Sequence, residues 1–318
     1  MVTERGPNAF AQYRLQRDVH LLVIADGQRL AASCGFAIRN VLVGGERISV
    51  HYGQGLRVHR DYRRQGFGDQ VRSLGWGINF RPTVCQYDIM RTQNFAVVGW
   101  WEKYMPDFWK DVPKQEGEVP GIPVIVYQLP AREGIGEDPA IRPVRAEDLE
   151  RCAELINRTH DGADLFHPYT AERLEDRLDQ GLWGERPPWW QHVYGWEDAF
   201  VLEEQGRVVA CGGLWNRGRD LRERWRHRES GKEHTLSDTC LLDFGYEAGA
   251  EAALMRLLAT FSTQTAELGR DHLLVPAQHL PELAVALEAE GAVADRRALR
   301  WGHPSLQVVR PYTDLAYW

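Results

Sequence analysis

The stretch Leu-Arg-Val-His-Arg-Asp-Tyr-Arg-Arg-Gln-Gly-Phe-Gly-Asp-Gln-Val, residues 56 to 71, narrows the folds open to this chain more than any other. Leu56 to Val58 reads as a strand, the polar residues after it as a turn, and Gly66 and Gly68 as the opening of a helix. Arginine and glycine at a helix start suit an anion. Unpaired N–H groups and the positive end of the dipole point outward there, and glycine lets a phosphate approach the main chain. A P-loop would need a lysine directly after its last glycine, and Asp69 follows Gly68. A dinucleotide fingerprint would need a third glycine or alanine where this chain has Val71.

What remains, Arg63-x-x-Gly66-x-Gly68, resembles the R/Q-x-x-G-x-G/A loop of the GNAT superfamily of N-acetyltransferases. The whole run LRVHRDYRRQGFG is similar to that family's strand–turn–loop signature. The resemblance implies that the amides of Arg63, Arg64, Gln65, Gly66, Phe67 and Gly68 take the pyrophosphate of acetyl-CoA, the co-substrate. It implies that the amides of Leu56 and Val58 hold the pantetheine arm, and that Asn94 opens the next helix against the cofactor. Gly53 and Gly55 suit the strand bulge this needs. The family often places a thiolate-protonating tyrosine seven residues after the asparagine. Here that residue is Trp101, so Tyr104, one turn later, is the candidate acid, with aromatic packing as its plainer role. For the base, His51, Tyr52 and Gln54 lie upstream, and a pKa near working pH favours His51. Strand alternation puts His51 on the face opposite Leu56 unless the bulge reverses it. A water chain without a single base is the alternative.

At 318 residues the length suits two domains. His20 to Ala25 and Arg29 to Ala37 read as a hairpin, Arg39 to Val43 and Arg47 to Val58 as a second pair. A helix from Gly68 should weaken at Gly75 and Gly77. Val84 to Met90, Asn94 to Tyr104 and Ile122 to Leu129 then read as strand, helix and strand. After a Gly/Pro-rich linker the order restarts at Ile141. Leu149, Cys152, Ala153 and Ile156 mark an amphipathic helix. Ala199 to Glu204 and Arg207 to Leu214 repeat the hairpin. Leu241 to Phe244, a helix through Leu254 to Phe261, Leu273 to Val275 and a last helix to Glu290 complete it. The expected fold is α/β (α+β): two tandem GNAT-like domains, each a mixed, mostly antiparallel twisted sheet flanked by helices. Their bounds are 1–130 and 140–318, with 131–139 as linker. The usual opening strand and two helices are abbreviated in the first. The second domain's loop, Gly245 to Glu251, lacks the arginine or glutamine, and Glu247 and Glu251 would repel a pyrophosphate. That domain reads as degenerate and structural.

Hydrophobic content of 43% and charged content of 26% are those of a soluble globular protein. A net charge of -7 argues against nucleic acid as a general partner. No signal peptide or membrane span is apparent, so no membrane role and a cytoplasmic location are expected. The five cysteines are widely spaced, so no disulfide or metal site is expected. The mixed-charge run Arg217 to His234 reads as a solvated helix. Trp183, Trp189, Trp190, Tyr194 and Trp196 read as acceptor pocket or interdomain core. The function implied by the resemblance is acetyl transfer to a primary amine, on a small molecule in preference to a protein, with a homodimer open. Its alternatives are a non-catalytic acyl-CoA sensor and a tandem enzyme working through its C-terminal domain.

Overall fold

The computed structural model describes residues 2–5, 19–79, 85–91, 122–134, 138–179, 194–226, 231, 233–302 and 308–315. After β1 (Val2–Arg5), strands β2 (Val19–Asp26), β3 (Arg29–Val43) and β4 (Glu46–Val58) form a meander. Its turns hold Gly27, Gly44 and Gly45 at φ of +58°, +57° and +83°, where a side chain would be strained. A 3-10 turn at Arg60–Tyr62 leads into α1 (Phe67–Asn79), then β5 (Cys85–Arg91) and β6 (Ile122–Pro130). The second half runs β7 (Ile141–Pro143), α2 (Leu149–Thr159), α3 (Ala171–Asp179), β8 (Ala199–Glu204), β9 (Arg207–Trp215) and the one-turn α4 (Arg217–Asp220). It continues through β10 (Leu221–Arg226), β11 (Glu233–Leu236), β12 (Asp238–Tyr246), α5 (Glu251–Glu267), β13 (His272–Val275), α6 (Pro281–Ala289) and β14 (Val293–Gly302).

Among the described residues, eleven strands make one sheet, ordered β2-β3-β4-β5-β14-β6-β13-β12-β9-β8-β7. Every neighbouring pair is antiparallel except β4–β5 and β12–β13. The order β2-β3-β4-β5 is repeated by β8-β9-β12-β13, each a hairpin, a third strand and a parallel fourth strand, with β7 added at the edge beside β8. At the centre, β14 of the second half lies between β5 and β6, and β6 of the first lies between β14 and β13. Each half thus completes the sheet of the other. The fold is mixed α/β, mostly antiparallel, with helices on both faces.

Those faces follow from the burial pattern. In the first half Val41, Val50 and Tyr52 point to one side and pack with Leu155 and Ile156 of α2, with Phe166, and with Tyr312 and Leu315. Elements from beyond residue 140 therefore cover this face of the first half. Asp164 fastens them: its carboxylate accepts from the amides of Gly44, Val309 and Arg310, and Leu42 exchanges backbone bonds with Leu165 and Phe166. The opposite face carries α1 over Phe36 and Cys34, and α5 and α6 over the second half.

Four expectations need correction. Arg29 to Val43 is one strand, because no turn residue interrupts it and β4 pairs along its whole length. Helix α1 passes through Gly75 and Gly77 without stopping, since a Cβ at Gly75 would overlap the Phe36 ring, and glycine is what lets the helix lie that close. The described residues between 217 and 236 form a short helix and the strands β10 and β11, with β10 paired between β1 and β11, in place of one solvated helix. Beyond Glu290 the chain adds β14, whose run of charged residues Asp295-Arg296-Arg297 hides a central strand.

Candidate functional site

Strands β4 and β5 pair at Val50↔Cys85, His51↔Gln86 and Tyr52↔Tyr87, and then part. From Gly53 onward β4 pairs with β3 alone among the described residues. Its pairing shifts between Arg57↔Ser33 and Gln54↔Gly35, leaving Gly55 and Leu56 opposite Cys34. Gly55 sits at φ +60°, the left-handed residue of a bulge. The extra residue reverses the alternation. Phe36 lies opposite Gly53, which places His51 on the face of Phe36, and Leu56 and Val58 pack with Phe36, Val71 and Phe67 on that same face. His51 and Leu56 thus share a face. The amide of His59 bonds Ala31 O at 2.8 Å. By the alternation of an antiparallel ladder, Val58↔Ala32 is then a pair without mutual bonds, so the N–H and C=O of Val58 turn toward the open edge.

The loop follows directly. Tyr62 anchors it, donating to Asp26 at 2.8 Å and meeting the Phe67 ring edge-on at 5.5 Å. Gln65 Nε2 bonds Asp61 O at 2.9 Å. Arg64 and Gly66 stand at φ +64° and +84°, two left-handed residues that turn the chain sharply into α1. The amides of Arg64 to Gly68 donate no backbone–backbone bond among the described residues, and a Cβ at Gly66 would meet nothing within 4 Å. Arg63, Arg64, Gln65 and Gly66 are exposed; Phe67 and Gly68 are half-buried. A strand edge with free donors, a positive loop and a helix start thus run together.

His51 stands at the vertex where the strands part, roughly 17 Å along β4 from Leu56 by strand rise. Its side chain is buried, and Nε2 has no hydrogen-bond partner among the described residues. Burial, with a smaller effect from His20, lowers its pKa, so the ring is neutral at pH 7 and free to accept a proton. Tyr52 and Gln54 are also buried. Asn94, Trp101 and Tyr104 lie outside the described residues, as do Trp183, Trp189 and Trp190. Tyr194 and Trp196 are core-packed, bonded to Asp243 at 3.0 Å and Asp179 at 2.6 Å.

The second half repeats the geometry with different chemistry. β12 leaves β13 after Cys240↔Leu274 and bulges at Asp243 and Phe244, with Asp243 at φ +48° where the first half has Gly55. Asp243 is buried and accepts from Tyr169 at 2.5 Å and Tyr194 at 3.0 Å, with Arg177 Nε 2.9 Å away. Arg177 also binds Asp314 at 3.0 Å, and Arg39 of β3 approaches Asp314 to 3.7 Å. Glu247 pairs with Arg151 and, at 2.5 Å, with Arg207. This network escaped sequence reasoning, since its members are scattered from residue 39 to 314. No group of three or more metal-ligating side chains occurs among the described residues. Nor does any described helix have the length and apolarity to cross a membrane.

No protein-family model and no curated protein sequence matches this chain. Solved structures do. The Saccharomyces cerevisiae N-myristoyltransferase with bound myristoyl-CoA and inhibitors superposes with TM-score 0.59 at 12% identity, over 91% of this chain and 67% of that one. Two further structures of that enzyme with myristoyl-CoA give TM-scores of 0.54 and 0.52 at 15% and 13% identity. They cover 87% and 89% of this chain. This chain spans 64% to 71% of the length of the three, about two thirds. Theirs is the fold this chain has.

Proposed function

We propose that this protein is an acyl-CoA-dependent N-acyltransferase with its donor site in the first half, and that the acyl group is acetyl. The observation that carries the reading is the edge of β4 at Leu56 and Val58, which has no strand partner but β3 among the described residues. It runs into Arg63, Arg64 and the amides of residues 64–68, which donate no backbone bond there. A pantetheine arm is a chain of amides and extends a strand edge as another strand would. A pyrophosphate suits the loop. The fold shared with enzymes crystallised with myristoyl-CoA supports acyl-CoA as donor. In this reading 1–130 binds the donor, 131–139 links, and 140–318 walls the acceptor cleft without a donor site of its own.

The thioester then lies near the vertex at Tyr52, with the loop at the mouth. A small-molecule primary amine, once deprotonated, attacks the thioester carbon; the C–N bond forms, the C–S bond breaks, and the thiolate leaves. His51 takes the ammonium proton, its neutral ring being the state a base requires. Tyr104 gives a proton to the thiolate and is restored by the second proton that the attacking nitrogen sheds as the amide forms, and Asn94 contacts the cofactor. Holding both reactants at one vertex supplies most of the acceleration.

Calorimetric titration of acetyl-CoA into wild type and Gly66→Glu tests this. About one equivalent should bind the wild type, and none the variant, whose new carboxylate faces the pyrophosphate from a strained backbone. Undiminished binding by Gly66→Glu sinks the site assignment. Binding of myristoyl-CoA but not acetyl-CoA overturns the acetyl assignment. Binding without thiol release in the presence of any amine would favour a sensor.

A further inference from the structure

The two bulged strands can be aligned residue for residue, because each leaves its parallel neighbour at the same point and bulges three residues later. Tyr52 matches Cys240, Gly55 matches Asp243, Leu56 matches Phe244, Arg57 matches Gly245 and Val58 matches Tyr246. The bond that follows is also repeated: His59 N to Ala31 O at 2.8 Å, and Glu247 N to Val209 O at 2.9 Å. The N–H and C=O of Tyr246 therefore turn to the free edge as those of Val58 do.

That second edge is occupied. The Thr159 hydroxyl, at the end of α2, accepts from Tyr246 N at 2.8 Å and donates to Tyr246 O at 3.1 Å. His160 Nε2 donates to Phe244 O at 3.0 Å. His279 Nε2 in turn donates to His160 Nδ1 at 2.6 Å, which fixes the tautomer that lets His160 donate. Gly245 makes the docking possible, since a Cβ there would run into the backbone of Leu155 and Ile156. The first half has Arg57 at that position. At Val58 the contact to its carbonyl that corresponds is Arg63 Nε at 3.5 Å, from an exposed side chain.

We infer that the second half retains a strand edge built to bind an amide-bearing arm such as pantetheine, and that the end of helix α2 fills it in cis. Thr159 and His160 present one acceptor and two donors along β12, the alternation of groups that an amide chain would offer. The filled edge ties the end of α2 and His279 to β12 within the second half and leaves the protein one donor site. The inference rests on the proposed donor site only for its comparison with Val58.

Amide hydrogen exchange on the full chain decides it. Without ligand, the Tyr246 amide should exchange at least about tenfold more slowly than that of Val58. Saturating acetyl-CoA or free pantetheine should leave Tyr246 unchanged. Thr159→Val, which keeps the shape and removes the hydroxyl, should speed Tyr246 exchange by about tenfold or more, and Thr159→Ser should restore it. If acetyl-CoA or pantetheine alters Tyr246 exchange in the wild type, the edge is open and the inference fails; this arm stands even should Thr159→Val not fold. Unchanged Tyr246 exchange in a folded Thr159→Val also overturns it. If acetyl-CoA fails to slow Val58, the proposed donor site falls, and the Tyr246 arms still decide the filling of β12.

Discussion

Gly55 and Asp243 hold the same left-handed place in the two bulges, and their difference sets the character of each half. Glycine leaves the edge of β4 without a side chain to satisfy; aspartate brings a buried charge that Arg177, Tyr169 and Tyr194 must satisfy. Asparagine tolerates the same backbone, so Asp243→Asn isolates the charge. It should cost about 2–4 kcal/mol, read as a lower urea midpoint with unchanged slope, because Arg177 loses one of two buried carboxylates. The His160–His279 pair makes a second prediction. Burial pushes both rings down, His279 to about 3. The unfolded chain takes up these protons below about pH 6.5, whereas the folded His279 does so only near 3. Its stability contribution is complete above 6.5 and falls by about 1.4 kcal/mol per pH unit as pH drops toward 3. His279→Gln should flatten the fall in urea midpoint between pH 6.5 and 4.5 by that one proton. An unaltered slope would show that His279 titrates normally.

At the scale of elements, glycine signals in this chain are ambiguous until a partner is known. Gly75 read as a helix breaker is instead the contact that seats α1 on Phe36. Gly75→Ala gains about 1 kcal/mol of helix propensity, yet the overlap should cost more, a net loss of roughly 1–3 kcal/mol. Phe36→Leu in the same chain should recover part of it, and a net gain in midpoint for Gly75→Ala alone would refute the packing argument. The loop was legible because its chemistry is local: Arg63, Gly66 and Gly68 lie within six residues, and a helix start reads off them. The bulge was half legible, since Gly53 and Gly55 marked it while the reversal that brings His51 onto the face of Leu56 depends on pairing with Cys34. Nothing in Asn157-Arg158-Thr159-His160 announced a plug for strand residues 84 and 87 positions away.

At the scale of the molecule, the exchange of β6 and β14 ties both halves into one sheet. A fragment of 140–318 would leave β13 and β14 without β6 between them, and 1–130 would leave a gap between β5 and β6. The whole chain should therefore unfold in one calorimetric transition, and neither fragment should unfold cooperatively alone. Two separated transitions would show independent halves. The sequence by itself determined most strands and helices and the repeated strand order of the two halves, because periodicity, turn residues and short motifs act over a few residues. Which strand lies in whose sheet, which cleft is filled and where the charges of residues 39, 177, 243 and 314 meet were decided only by the tertiary structure. Those arrangements rest on contacts between segments as much as 275 residues apart (314 less 39), whose individual sequences carry no record of the partner.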